Sequence, residues 1–265
     1  MTELIERRED IKRHPMHIEG FDEQLEGGIP VGHVCLMAGK AGTMKSSVSF
    51  NAIYHEVKAG RNALYLSLEQ SSTSLLNHMI GMGFDLSAIN VIILSDVSKL
   101  DKCVEAVRSN KGSLVMSDVG AIRKQLGDLK SMGPEADWLN AIKNIVKKLA
   151  ADKACDLFVL DSMSALYALS KLKNPRSELF YVFEFLRDIG ITSYLISEII
   201  GEQYGEFGVE DYLSDGIISF AMVRDGRKVR REIAVIKMRA TDTNNDVFIL
   251  DYKNKVFRAL TKLPY

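Results

Sequence analysis

The stretch Val34-Cys35-Leu36-Met37-Ala38-Gly39-Lys40-Ala41-Gly42-Thr43-Met44-Lys45-Ser46-Ser47 decides the fold. Val34 to Met37 is a short apolar run bounded by glycines, the pattern of a strand buried on both faces. A glycine-rich turn follows, and then a helix to about Ala59, with Gly60 where a terminating glycine belongs. A phosphate chain carries several negative charges. A loop poor in side chains lets backbone N–H groups converge on it, and the helix N-terminus adds its positive dipole end. Gly39, Lys40, Ala41, Gly42, Thr43, Met44, Lys45, Ser46 and Ser47 are the expected phosphate-facing residues. Lys45 is placed to reach the β- and γ-phosphates and Ser46 to put its hydroxyl on Mg²⁺. The pattern GxxxxGK[ST] asks for glycine at position 44, where this chain has Met44.

Strand and helix signals alternate on both sides of this segment. Ala63 to Leu68 reads as a strand ending at Glu69, and Ser71 to Ile80 as a short helix. Val91 to Leu94 and Leu114 to Met116 read as strands around a helical stretch near Asp101 to Ser109. Pro134 opens a helix whose Trp138, Ile142, Ile145 and Leu149 share one face. Leu157 to Leu160 is a buried strand ending in Asp161. Asn174-Pro175 opens a helix that Gly190 ends, and Tyr194 to Ile196 is a strand ending near Glu198. Ile217 to Val223 and Val229 to Met238 form a hairpin around Asp225-Gly226, and strands at Val247 to Leu250 and Val256 to Leu260 close the chain. This alternation predicts an α/β fold with a mostly parallel central sheet, helices on both faces and antiparallel strands at the C-terminal edge. With no strong linker, residues 17–265 read as one domain, and residues 1–16 as an arm or short helix.

Lys and Arg number 34 against 35 Asp and Glu, giving a net charge of −1. That balance offers no electrostatic argument for nucleic acid or an acidic membrane surface. Cys35, Cys103 and Cys155 are far apart and lack a CxxC pair, which argues against a disulfide framework or a zinc site and for a reducing cytoplasm. The N-terminus is charged from its third residue, unlike a signal peptide, and no apolar run is long enough to span a membrane.

Two acids are candidates for chemistry. Asp161 ends a buried strand, where it would hold the Mg²⁺ shell, usually through water. Many buried strands end in Asp, so the position gains meaning from the phosphate loop upstream. Glu69 ends the strand after the loop helix, where a carboxylate could orient and deprotonate an attacking water. A solvated loop glutamate reads equally well there.

A fuller match now appears. Gly20-Phe21-Asp22 through Gly27-Gly28-Ile29-Pro30, then Tyr65-Leu66-Ser67-Leu68-Glu69-Gln70, Leu160-Asp161-Ser162-Met163-Ser164-Ala165-Leu166, Ser214-Asp215-Gly216-Ile217-Ile218 and Ile236-Lys237-Met238-Arg239-Ala240-Thr241 occur in order. Together they resemble the KaiC-like ATPases of the RecA superfamily, most closely the single-domain archaeal type. The Thr-Met-Lys-Ser loop also occurs among archaeal members, so Met44 looks like a family variant. The resemblance implies a RecA-like fold, ATP and Mg²⁺ as ligands, and hexameric rings with ATP between subunits. It implies that Glu69 is the catalytic base and that Lys237 and Arg239 reach the γ-phosphate of the neighbouring subunit. On residue pattern alone, Lys237 and Arg239 are a basic pair that discourages edge pairing.

The departures are Gln70 for a second glutamate, Asp211 and Tyr212 where the clock protein has an adjacent Ser-Thr pair, and Thr243 for a histidine. The clock protein also has two tandem domains. ATP hydrolysis coupled to assembly, as a slow switch, is expected rather than autokinase activity. The alternatives are a RadA-like recombinase and a non-catalytic nucleotide-binding scaffold. Recombinase loops would fall at Lys171, Lys173 and Arg176 and at Gly201 to Asp211. The second carries Glu202, Glu206, Glu210 and Asp211, which disfavours DNA.

Overall fold

The computed structural model describes residues 11–127, 138–151, 153–170 and 172–261. Pro134 and Lys171 therefore lie outside the described residues. The parallel strands are β4 (Val34–Gly39), β5 (Ala63–Ser67), β6 (Asn90–Leu94), β7 (Ser113–Asp118), β8 (Leu157–Asp161) and β9 (Thr192–Ser197). After them come β10 (Gly216–Asp225), β11 (Lys228–Met238), β12 (Val247–Lys253) and β13 (Val256–Leu260). Three two-residue strands precede β4: β1 (Arg13–His14), β2 (Ile18–Glu19) and β3 (Ile29–Pro30). The large sheet has eleven strands in the order β2-β13-β12-β11-β10-β4-β9-β8-β5-β7-β6. From β10 to β6 every pairing is parallel, and β10-β11-β12-β13 are antiparallel, as expected from the sequence.

The central strands are apolar throughout because both faces are covered. Cys35, Met37, Ala63 and Tyr65 join one core, and Leu36, Ala38, Leu64 and Leu66 the other. On the first side lie α1 (Lys45–Lys58) and α2 (Ser72–Met82); on the second, α3 (Leu100–Arg108), α5 (Trp138–Ala151), α6 (Met163–Leu169) and α7 (Pro175–Asp188). Elements α4 (Val119–Gly127), α6 and α8 (Glu210–Leu213) are additions to the sequence reading. Each fully buried Leu or Val contributes roughly 1.5–3 kcal/mol, so the two cores dominate stability.

Of the arm or short helix expected over residues 1–16, residues 1–10 lie outside the described residues, and residues 11–16 run extended against the body of the fold. Arg13 and His14 pair with Pro30 and Ile29, and Met16 is fully buried. Helix α1 straps this segment down: Asn51 Nδ2 donates to the carbonyls of Met16 and His17 at 2.9 and 3.0 Å. Glu56, buried on the same helix, meets His14 at 2.6 Å, His17 at 3.0 Å and Arg61 at 2.6 Å. Burial pushes the Glu56 carboxyl up, but hydrogen bonds from His14 and His17 and the charges of His14 and Arg61 outweigh it. They hold Glu56 at about 2, below its ordinary 4.5. A group depressed on folding stabilises the fold above its unfolded value. That contribution is fully present above about pH 4.5 and is lost as the pH falls toward 2. Glu56→Ala is expected to cost about 3 kcal/mol, because it leaves the buried His14 without its partner, while the half-exposed Arg61 turns to solvent. Thermal melting at neutral pH measures this, and the variant's melting point should fall less between pH 5 and 3 than the wild type's.

Candidate functional site: a nucleotide cleft at the carboxyl ends of the sheet

The loop between β4 and α1 is shaped by two glycines. A Cβ on Gly39 would lie 2.5 Å from the Phe220 carbonyl oxygen and 2.9 Å from Thr43 Oγ1, so no side chain fits. Gly42 has φ +81°. Thr43 Oγ1 closes the turn by donating to the Lys40 carbonyl at 2.7 Å. Met44 explains why the pattern prefers glycine: its φ is 74°, left-handed, a conformation costing an L-residue roughly 1–2 kcal/mol. Packing of its half-buried side chain against the core offsets this. Because Met44 supplies no side-chain cap, the first N–H groups of α1 remain open to an anion.

Lys45 is buried, and its Nζ donates to the carbonyls of Gly39 at 2.5 Å and Lys40 at 3.0 Å, across the mouth of the loop. Burial lowers its pKa, opposed by Glu198, Glu69 and Asp161. Asp161 ends β8 beside the loop. Tyr65 Oη, from β5, donates to Asp161 Oδ2 at 2.5 Å, and the Ser46 hydroxyl also hydrogen-bonds the carboxylate. Burial raises the Asp161 pKa, against the pull of these two hydroxyls. Burial, with Asp161 adding to it, pushes the Tyr65 hydroxyl well above its ordinary value, so it stays a donor. Glu69, past the end of β5, accepts a short hydrogen bond from Ser162 Oγ, and Ser162 in turn caps α6 through Ala165 N at 3.3 Å.

These groups line one cleft of about 490 Å³. Ala41 to Ser47, Glu69 and Asp161 all face it, which brings the loop and both expected acids together. Gly39 and Lys40 form the turn behind it. Lys237 and Arg239 do not line the cleft. Lys237 sits toward the opposite end of β11, six residues beyond Arg231, or about 20 Å along an extended strand, and Arg239 follows just past the strand's end. There Lys237 Nζ donates to the Asp211 carbonyl at 2.5 Å, and Arg239 donates to Asp215 Oδ1 at 2.7 Å and the Tyr212 carbonyl at 3.2 Å.

Nine further residues line the cleft that the sequence reading did not assign to it: Gln70, Leu75, Met82 and Ile196, and the five whose origin is instructive, Ser162, Glu198, Arg231, Tyr252 and His78. Ser162 and Glu198 obey the same strand-end rule that pointed to Asp161 and could have been found by it. Arg231, whose Nε donates to the Gly42 carbonyl at 3.2 Å, arrives through hairpin register, as does Tyr252 through β12. His78 comes from α2, and the Tyr252 hydroxyl donates to the Met82 carbonyl at 2.8 Å, fixing the ring at that end.

Donors of two kinds thus converge: N–H groups and Lys45 for phosphate, and the hard oxygens of Ser46 and Asp161 for a cation such as magnesium. Among the described residues there is no His, Cys, Asp and Glu cluster of the kind that holds a transition metal, and no helix long and apolar enough to cross a membrane. All three cysteines are buried and free. A phosphate loop at the carboxyl ends of a parallel sheet, with acids at neighbouring strand tips, defines the class as a P-loop nucleotide-binding protein.

The family described as KaiC ATPase matches residues 14–260, and the chain belongs to that family. The circadian clock protein KaiC3 of Synechocystis sp. is 28% identical over 260 residues, covering 95% of this chain and 46% of that one. The clock oscillator protein KaiC of Rippkaea orientalis is 29% identical over 229 residues, covering 84% of this chain and 39% of its own length. The chain thus spans less than half the length of these relatives. Its fold is that of a KaiC-like protein from Pyrococcus horikoshii, with a TM-score of 0.72 and 21% identity over 95% of this chain and all of that one.

Proposed function

We propose that this protein is a magnesium-dependent ATPase of slow turnover that assembles as a homohexameric ring with nucleotide between subunits and acts as a cytoplasmic regulatory switch. One observation carries the reading: a complete phosphate cradle shares its cleft with two acids, while Lys237 and Arg239 face away from it in the same chain. The open N–H groups of α1 bind the phosphates and Lys45 aligns the terminal one. Ser46 and Asp161 hold magnesium, Asp161 through water, and the metal when bound neutralises phosphate charge. Glu69 orients the attacking water and accepts its proton, with Ser162 fixing the carboxylate. The purine lies toward His78, Met82 and Tyr252. Lys237 and Arg239 serve the neighbouring subunit's cleft. Nucleotide at an interface couples binding to assembly, because the ligand stabilises the assembled form.

Hydrolysis is favoured over self-phosphorylation. Neither Asp211 nor Tyr212 carries an aliphatic hydroxyl: Asp211 is a carboxylate that accepts from Tyr204 N at 3.1 and 3.3 Å, and the only hydroxyl of the pair is the phenol of Tyr212. DNA exchange is disfavoured by the exposed Glu202 and Glu206 of the loop after β9.

Isothermal calorimetry with Mg-ATP is the direct test. Wild type is expected to bind, and Lys45→Ala to lose about 1.5–3 kcal/mol, roughly ten- to a hundredfold in affinity, as for loss of a charged hydrogen-bond partner. No heat and no thermal shift with any purine triphosphate would overturn the reading.

A further inference from the structure

Among the described residues, β11 has strands on both sides only from Glu232 to Ala234, where β12 meets it. Its last rung to β10 joins Met238 to Gly216. Arg239, Ala240 and Thr241 lie beyond that rung as a turn. The Arg239 amide donates to the Asp215 carbonyl at 2.8 Å, and the Arg239 carbonyl accepts from His33 Nε2 at 3.2 Å. Ala240 is left-handed at φ 55°, a conformation that a residue with a side chain keeps only when its surroundings impose it. The direction in which Arg239 leaves the sheet is set by what grips this turn.

The grip comes from Arg13, 228 residues before Thr241 in the chain. Its Nη1 donates to Thr241 Oγ1 at 2.7 Å and to the Gly28 carbonyl at 3.3 Å. Its Nη2 donates to the Ala240 carbonyl at 3.0 Å and pairs with Glu26 Oε2 at 2.7 Å. Each terminal nitrogen thus bonds once to the turn and once to the segment 26–28, which a planar guanidinium can do and a single lysine amine cannot. The Arg13 side chain is only 8% exposed, so its charge is desolvated with its partners in place. The residues that follow fasten the same segment to α1, through Glu56 with His14 and Asn51 with the carbonyls of Met16 and His17. Residues 13–17 therefore tie the helix that begins at the phosphate loop to the turn that carries Arg239.

We propose that Arg13 is a positioning residue for ATP hydrolysis: by fixing the 239–241 turn, it sets where the Arg239 guanidinium can reach. Arg13 touches no reacting group and acts through Arg239. The inference rests on the reading of Arg239 above as an arginine that serves the transferring phosphate. The Arg239 side chain is half-exposed and can leave Asp215, so the fixed point of its swing is the backbone turn that Arg13 holds. Placement matters in that role, since a misplacement of about 1 Å lowers a rate roughly a hundredfold.

The test is a double-mutant cycle on the full chain, read by turnover and by Mg-ATP calorimetry. Arg13→Lys keeps a charge beside Glu26 but loses the fork, and Arg13→Gln loses the charge as well. Each is expected to lower kcat roughly ten- to a hundredfold with Mg-ATP affinity unchanged. Neither should lower it further in an Arg239→Ala background, because the residue through which Arg13 acts is then gone. Melting curves show that the variants are folded, and should Arg13→Gln fail to fold, Arg13→Lys carries the test. Wild-type kcat in the Arg13 variants, an affinity that falls in step with kcat, or an undiminished loss in the Arg239→Ala background would each overturn the positioning role. Where Arg239→Ala has its full effect and the Arg13 variants have none, this inference alone falls. Where Arg239→Ala itself keeps wild-type turnover, the reading of Arg239 fails and this inference with it.

Discussion

Exchanging Glu69 for Gln is expected to lower ATP turnover by a factor on the order of 10²–10⁴, the usual contribution of a positioned general base, while Mg-ATP affinity is unchanged. The split follows from geometry. Glu69 lies in the cleft but outside the loop that grips phosphate, so binding does not depend on its charge. Glutamine keeps the shape and can still accept from Ser162 Oγ through its amide oxygen, so the local structure is preserved. What it loses is the ability to take a proton from water. Calorimetry should therefore match wild type while single-turnover hydrolysis slows. Unchanged turnover would remove Glu69 from the chemistry and leave it as an anchor for the α6 N-terminus. Loss of binding together with turnover would mean that its charge instead shapes the site around Lys45, whose proton affinity Glu198, Glu69 and Asp161 all support.

Most of the architecture is legible in the chain because its central strands are short apolar runs ended by glycine or an acid. That pattern has one physical explanation, a strand covered on both faces and opening onto a polar edge. The strand tips at Glu69 and Asp161 were found this way, and the geometry brings them to one cleft. Met44 shows the opposite case. A sequence pattern registers a missing glycine, but only the backbone shows that the position is left-handed and that core packing offsets the strain.

Other features left little local trace. Strands β1, β2 and β3 have two residues each, too few for any periodicity, and exist because β13, α1 and one another hold them in place. Arg231 and Tyr252 enter the cleft through strand register in the antiparallel edge. Register is a property of pairs, and no single segment displays it. The assignment of Lys237 and Arg239 to a neighbouring copy comes from family resemblance, and the fold of one chain supports it indirectly by holding both away from its own cleft.

That arrangement makes Arg239 the sharpest probe of function. Arg239→Ala is expected to reduce turnover by a factor on the order of 10³–10⁵, the range for an arginine that neutralises charge on a transferring phosphoryl group. The residue is half-exposed, and its ion pair with Asp215 is shared with Arg187, so the fold should survive its removal. A melting curve checks that. Loss of activity alone does not distinguish an arginine acting in its own chain from one acting across an interface. Mixing does. An Arg239→Ala subunit has an intact phosphate loop, and a Lys45→Ala subunit has an intact Arg239. Where the first presents its cleft to the second, a complete site forms. In a random mixture about a quarter of the interfaces have that arrangement, because the contact is directional, so about a quarter of wild-type activity should return. Two separately inactive proteins would then hydrolyse ATP together. If well-assembled mixtures stay inactive, the arginine does not act across the interface, and Arg239 reverts to holding Asp215, whose carboxylate also accepts from the Val34 amide where β4 begins.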